Sequence, residues 1–417
     1  MLTIPPDLKI RRARDNDLPE MARIHSVAYV GANMDFDQRI AHFRDDPRLP
    51  LENHWICEKN GQLMGMFALY NFKMYRFDSL IPAGGIGRVA VSPEARKSGI
   101  AYWMMVKAVQ IMDQNGFPLS ILYPFKHVFY RRLGWGLVGR SLKYRIPVGN
   151  LTAWDERSNV RLVRVEDEQQ GVMLCYNDYA RNHNGLLERS DAVWMEQIFK
   201  NSLCYSYLDA NGKVSGYLVC TFQAHDPETD YMASDLLIKE LVWTDPESFR
   251  GLIGFIAAQS DQVRSVDYND QTGISLEYIL NDPRMSDGIY NAEFGVETAR
   301  IGSGLMGRIV QVRRSLTAAR FGTGSGKVTL KITDEVHPEN SEPVKLEFDK
   351  GAIQFLKQGD TPFTLHTDMA TFSSIYWGRL ALKEAVFLNL VQIEGKGDAS
   401  FLSRAFSVQH PMCLDYF

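Results

Sequence analysis

Arg96-Lys97-Ser98-Gly99-Ile100-Ala101 sets two cations and two small residues where a β-branched run, Val89-Ala90-Val91, gives way to a helix-forming one. The first turn of a helix leaves its main-chain amides without partners and carries positive partial charge. It therefore holds anions when small residues let the backbone come close. Gly99 and Ala101 clear that approach, and Arg96 and Lys97 add charge. The fit is to a diphosphate lying across the first helical turn. The same run also reads as a solvated basic turn ahead of a packed helix, because short glycine motifs recur by chance.

Either reading needs a strand, a loop and a helix, and residues 8 to about 148 read as an α/β unit that supplies them. Asp17-Leu18-Pro19-Glu20 has the form of a capping box with proline in the first turn, ahead of Met21, Ile24 and Ala28 at helical spacing. Residues 55–57 and 63–69 flank Lys59-Asn60-Gly61-Gln62, an Asn-Gly hairpin signal. Residues 86–91 read as a third strand. A helix is expected over 99–114, ended by Asn115-Gly116. Residues 119–123 read as a further buried strand and 126–132 as a short helical turn.

Residues 149–300 form a second stretch, with strands at 214–222 and 237–243 and a helix from Thr244-Asp245-Pro246-Glu247 to Ile256. "LVWTDPESFRGLIGFIA" repeats the strand–turn–helix order of "VAVSPEARKSGIAYWMM", as a diverged internal copy would. The copy lacks an R-x-x-G-x-A run, so no nucleotide is expected there. Residues 301–417 differ: Val328, Leu330 and Ile332, and Val344, Leu346 and Phe348, alternate as half-buried strands do. Helices are expected at 369–377 and 399–406, and residues 322–326, Gly-Thr-Gly-Ser-Gly, read as a hairpin-like loop.

With 417 residues the chain exceeds one ordinary core, so two to three domains are expected. A formal net charge of −4 argues against a polyanion-binding surface, hence against nucleic acid, and favours a cationic or neutral substrate. Five widely spaced cysteines (57, 175, 204, 220, 413) without a CxxC pair read as reduced, buried, cytoplasmic thiols. The histidines show no metal-ligand spacing, so no metal is expected. The first residues lack an apolar signal-peptide core, and the apolar run at 385–393 is too short to span a bilayer.

Set in order, V-A-V, P-E and R-x-x-G-x-A at residues 89–101 resemble the acetyl-CoA signature of the GCN5-related N-acetyltransferase superfamily. The resemblance implies that Val89, Ala90 and Val91 hold the pantetheine arm through their backbone. One strand amide, at Val91 or its neighbour, would polarise the acetyl carbonyl. Arg96, Lys97, Ser98, Gly99, Ile100, Ala101 and Tyr102 would hold the diphosphate. "YPFKHVFYRRLGW", residues 123–135, resembles the superfamily's F-Y-x-R-x-G-[WY] pattern. It implies that Tyr130 protonates the departing thiolate and that Phe125 and Lys126 lie on the cofactor side. A phenol of pKa about 10 can serve a thiolate of pKa about 8.5. The plainer alternative is that Phe129, Tyr130 and Trp135 cap the core.

The whole chain resembles the Eis (enhanced intracellular survival) family, with Gly304-Leu-Met-Gly-Arg-Ile and Gly351-Ala352-Ile353-Gln354 similar to its sterol-carrier-like third domain. The fold implied is α/β plus α+β: a catalytic acetyltransferase domain at 1–148, a degenerate acetyltransferase-like domain at 149–300, and a sterol-carrier-like α+β domain at 301–417. The family implies a general base at the terminal carboxylate, here Phe417, with Asp415 a lesser candidate. It also implies a homohexamer. The acceptor expected is a primary amine of a small or peptide-like molecule, entering between the first two domains. The penultimate residue is Tyr416 rather than an acid, so acceptance of aminoglycosides does not carry over. Asp35 and Asp37 either line the acceptor pocket or cap the next helix, the second being the simpler role. The competing readings are a lipid- or sterol-binding protein with a vestigial CoA site, and a structural assembly subunit.

Overall fold

The structure, a computed structural model, describes residues 2–226, 228, 230–284, 290–291 and 295–417. The chain divides into two compact units, Met1–Gly139 with Gly304–Pro411 and Asp415–Phe417, and Arg140–Ser303 with Met412–Leu414.

In the first unit β1 (Leu8–Arg12), β2 (His54–Lys59), β3 (Gln62–Arg76), β4 (Ser79–Val91) and β5 (Leu119–Leu122) lie side by side in that order. The strand Met306–Ile309 and then β6 (Gly136–Leu137) follow. β4 and β5 are parallel, and the other neighbours along this path are antiparallel. A parallel pair requires a crossover, which α3 (Ile100–Gln114) provides. Asn60 and Gly61 both take positive φ, 53° and 77°, as the Asn-Gly hairpin requires. α3 buries Ile100, Met104, Met105, Val109 and Met112 in the core. β4 is glycine at 84 because α3 lies on it: a Cβ there would sit 2.4 Å from Met112 Sδ.

α1 (Leu18–Ala28) and α2 (Phe36–Arg44) precede β2. The capping box expected at Asp17–Glu20 does not form. Asp17 is drawn away by Arg11 of β1, which donates to it at 2.8 and 2.9 Å, while Glu20 accepts from Arg23. The cap forms instead on α2, where Asp35 accepts from the amide of Gln38 at 2.8 Å and Gln38 Oε1 accepts from the amide of Asp35. Asp35 is therefore a cap, and Asp37 is an exposed first-turn residue.

The same unit carries a second sheet, ordered Ala352–Phe355, Val344–Asp349, Gly326–Thr333, Phe363–Asp368, Val391–Gly395, with the buried helix Met369–Tyr376 following its fourth strand. A fully buried ion pair, Arg308 with Asp334 at 2.7 Å, ties strand Met306–Ile309 to this part. The glycine-rich run at 322–326 is no hairpin loop. It packs on the helix Ser400–Ala405, where the Gly322 amide donates to the Ala405 carbonyl and a Cβ at Gly324 would meet the Phe401 carbonyl at 2.1 Å.

The second unit repeats the frame of the first. Its sheet runs Arg300–Gly302, Ser141–Pro147, Val263–Asp270, Asp230–Trp243, Val214–Asp226, Leu203–Leu208, Val160–Leu162. Asp230–Trp243 and Val263–Asp270 are parallel and joined by the helix Pro246–Ala257. Among the described residues, no helix is long and apolar enough to cross a membrane.

Candidate active site

β4 and β5 stay paired only over residues 83–86 and 119–122. Beyond Ile86, β4 runs on to Val91 while β5 gives way to Tyr123 and Pro124. Residues 87–91 therefore present an edge without a ladder partner on that side, an opening between two parallel strands.

A β-bulge shapes this edge. Met66 pairs with Ala90 and Ala68 with Gly87, so Arg88 and Val89 together face Phe67. Arg88 takes φ of 51°, a left-handed conformation that costs a non-glycine residue of order 1–2 kcal/mol and persists only when neighbours hold it. Its guanidinium donates to Asp46 at 2.6 Å, to His54 Nε2 at 2.8 Å and to the His42 carbonyl at 3.1 Å. Tyr29 closes the bulge from α1, its hydroxyl donating to the Val89 carbonyl at 3.2 Å. Val89 and Val91 are half-buried beside the core, while the Ala90 side chain faces a separate cluster with Met21 and Ile24. Ala90 can thus take part only through its backbone.

The loop that follows ends at an open helix N-terminus. Lys97 and Gly99 take positive φ, 62° and 88°, and Gly99 is the N-cap of α3. No side chain caps α3, no acid stands in its first turn, and its first helical bond runs from the Trp103 amide to the Gly99 carbonyl. The amides of Ile100, Ala101 and Tyr102 precede that bond and have no acceptor within the helix. Arg96, Lys97, Ser98 and Gly99 are all exposed. The Ser98 hydroxyl donates to the Ala95 carbonyl at 2.6 Å, so this hydroxyl serves the loop itself. Arg96 reaches the Val27 carbonyl at 3.2 Å. Ile100 is buried, leaving its amide alone for a ligand.

Across the opening, α4 (His127–Arg131) carries Tyr130, which is buried against Phe125, Phe129 and Trp135. Burial pushes its phenol well above the ordinary value. Its hydroxyl makes no hydrogen bond among the described residues. Phe125 is exposed and Lys126 stands at the N-cap of α4. Phe417, the last residue of the sequence, lies among Tyr70, Phe72 and Tyr123, with ring centroids 4.8–5.5 Å away. Its main-chain carbon lies 3.6 Å from where a Cβ on Gly87 would stand, an ordinary contact distance that sets the chain end beside the bulge. Tyr123 donates to the Asp415 carbonyl at 3.0 Å and stacks on Tyr416.

The structure thus gathers the residues singled out in sequence along one edge of the first unit: Val89 and Val91, the 96–102 loop and helix start, Tyr130, and Phe417. Sequence reasoning missed the polar cluster behind the edge. Phe43 and His25, His42 and His54 pack edge-to-face or tilted at centroid distances of 5.3–5.7 Å. Burial, which costs the charged form most, lowers all three histidines to about 4, with the Arg88 charge adding to it. Asp46, held by Arg48 and Arg88, is lowered to about 2 despite its burial.

Three family models match the chain: an acetyltransferase (GNAT) domain at residues 9–138, a second at 185–309, and a sterol carrier protein domain at 312–414. The fold is that of tandem GNAT domains followed by a sterol-carrier-like domain. It is shared over the full length with a GCN5-related N-acetyltransferase from Anabaena variabilis (20% identity, TM-score 0.82, 98% of this chain and 100% of that one). A probable N-acyltransferase from Enterococcus faecalis (21%, 0.80, 98% and 99%) and Eis1 from Mycobacterium abscessus (18%, 0.77, 98% and 100%) share it too. No curated protein matches the sequence. The two GNAT matches together span more than half of the chain, which therefore belongs to the GNAT acetyltransferases, and its three-domain fold is the one Eis1 has.

Proposed function

We propose that this protein transfers an acetyl group from acetyl-CoA to a primary amine. The observation that carries the reading is the uncapped start of α3 beside the open edge of β4. A diphosphate fits a helix terminus that lacks a side-chain cap and an acid, and an extended arm fits a strand edge with unused amides. Acetyl-CoA is the substrate and supplies an activated thioester. The amides of Ile100, Ala101 and Tyr102 hold its diphosphate, with Arg96 and Lys97 adding charge. Val89 and Val91 offer backbone groups to the arm and to the acetyl oxygen. Tyr130, kept protonated by burial, donates to the thiolate, whose own basicity the same burial raises. The Phe417 carboxylate takes the proton of the attacking amine.

The sterol-carrier part supports the lipid-binding alternative poorly. A pocket of about 500 Å³ there is lined by Lys331, Thr333, Ser341, His366, Thr367 and Gln392 alongside Ile332, Pro343 and Leu390, a mainly polar surface. The test is thiol release from acetyl-CoA with a panel of polyamine, aminoglycoside, amino-acid and peptide amines. Amine-dependent thiol release is the expected result. Release that no amine accelerates, with CoA leaving the melting temperature unchanged, would overturn the reading.

A further inference from the structure

Arg39, on α2, is 5% exposed. Its Nη1 donates to His25 Nδ1 at 2.7 Å, and that ring is neutral, so it offers no compensating charge. Arg88 and Arg48 differ, since both meet the carboxylate of Asp46, at 2.6 and 2.8 Å. Among the described residues no carboxylate lies within ion-pair distance of Arg39, and nothing accepts from its Nε or Nη2. Those atoms are not shut away. The contrast is Arg76, whose Nε and Nη1 are sealed from solvent without a partner and whose guanidinium lies 4.1 Å from the Tyr376 ring centroid. Arg39 thus keeps two unpaired donor nitrogens in slight contact with solvent while the rest of it is buried.

A buried cation without a counter-charge is costly, and a guanidinium presents its donors in a fork that matches an anionic oxygen pair. The position is also close to the proposed chemistry. His25 stacks on Tyr29 at 4.6 Å, and Tyr29 donates to the Val89 carbonyl on the open edge of β4. Tyr29, and Phe36 one turn before Arg39 on α2, are exposed apolar side chains that could cover the body of a bound molecule.

We propose that the acceptor is a primary amine that also bears an anionic oxygen group, carboxylate or phosphate, and that Arg39 binds that group. This rests on the acetyl-transfer reading of the same site. It reverses the expectation drawn from net charge: a chain of formal charge −4 holds a local cation at its acceptor-side helices.

Thiol release is measured with matched acceptors: L-phenylalanine and L-phenylalaninamide, 6-aminohexanoate and 6-aminohexanamide, trialanine and its amide, O-phosphoethanolamine and ethanolamine. In at least one pair the anionic member exceeds its neutral partner in kcat/KM by about 10- to 100-fold, the worth of a hydrogen bond to a charged group, chiefly through KM. The pair with the larger ratio tells carboxylate from phosphate. Arg39→Gln brings that ratio close to one and Arg39→Lys keeps part of it, whereas structural damage lowers both members alike. A second arm, independent of turnover, titrates N-acetyl-L-phenylalanine and N-acetyl-6-aminohexanoate calorimetrically into wild type and R39Q. Turnover without an anionic preference, or a preference that survives R39Q, overturns the proposal and leaves acetyl transfer standing. Binding of the N-acetylated anions that depends on Arg39, without turnover of any amine, upholds the anion site and overturns acetyl transfer. Neither turnover nor binding overturns both.

Discussion

Gly99 allows the diphosphate site to be tested apart from catalysis. Its φ is 88°, and a Cβ built there meets only Trp103 Cδ1, at 4.0 Å. A side chain at 99 therefore has room, and its cost is conformational, about 1–2 kcal/mol for an L-residue in the left-handed region. Gly99→Ala bears that cost in full, whereas Gly99→Asp recovers part of it, because aspartate tolerates the left-handed region and suits a helix N-terminus, so G99D should melt no lower than G99A. They differ in charge. A carboxylate about 5 Å from one phosphate charge costs about 3 kcal/mol at an effective dielectric near 20. The loop is exposed, and physiological salt has a screening length of about 8 Å, so about half of that survives. Displacing one charge-assisted amide contact adds a further ~1.5 kcal/mol or so. Together, at about 3 kcal/mol, these weaken CoA binding by G99D relative to G99A on the order of 100-fold. Calorimetric titration of CoA at low and at physiological salt measures the gap, which should narrow as salt rises. If G99D binds CoA within threefold of G99A while both are folded, no diphosphate rests on these amides.

Tyr130→Phe keeps the ring contacts and removes only a hydroxyl with no protein partner, so the melting temperature should hold while kcat falls about 10²–10⁴-fold with KM little changed. An equal fall in stability and rate would make Tyr130 a core residue only. Deleting Phe417 removes contacts with Tyr70, Phe72 and Tyr123 and shifts the chain-end carboxylate, and thiol release should drop by at least tenfold in a protein whose circular dichroism is unchanged; undiminished turnover removes the chain end from the chemistry. Acid should unfold the cluster behind the edge. Above pH 6.5, His25 and His54 are neutral folded and unfolded and contribute nothing; between 6.5 and about 4 the unfolded chain binds the protons first, so stability falls with pH. The difference of 2.5 units (6.5 − 4) amounts to on the order of 3 kcal/mol per ring when fully developed. Urea midpoints that stay flat from pH 7 to 4.5 would contradict the burial of these rings.

Features set by neighbours in sequence were legible before the fold was seen. Asn60-Gly61 declared its hairpin, Gly99 and Asn115-Gly116 bracketed α3, and Asp35, taken with Asp37, had the simpler reading of a helix cap. Features set by distant partners were not. Asp17 and Glu20 had the same local form as a box, yet Arg11, across from them on β1, took the carboxylate. Arg88 stands in a run that reads as plain strand. Asp46, 42 residues away, and His54, 34 residues away, help hold it, with the His42 carbonyl, in a conformation that bends the edge. Strand Met306–Ile309 pairs with β5 and β6, which lie almost 170 residues earlier or more, a pairing that no local pattern announces. Residues 322–326 looked like a turn because glycine permits turns, whereas here glycine permits contact with a helix.

The two GNAT copies show how little separates an anion site from a packed helix. Both set a helix between parallel strands; the second helix starts three residues past Trp243, the first nine residues past Val91, after the basic loop. In the second copy Asp245 caps its helix, accepting from the Ser248 amide at 2.7 Å, and Glu247 adds a second acid to the first turn. The positive end of the helix is thus satisfied from within, and a diphosphate would have to displace one carboxylate and approach another. The helix is also covered: a Cβ on Gly254 would meet the Trp154 carbonyl at 2.5 Å, and Arg250 is paired to Glu156 at 2.7 Å. The first copy has glycine where the second has its capping acid, and exposed cations in the preceding loop. The shared frame can position a nucleotide in either place. The cap residue decides that only the first copy leaves its amides open to one.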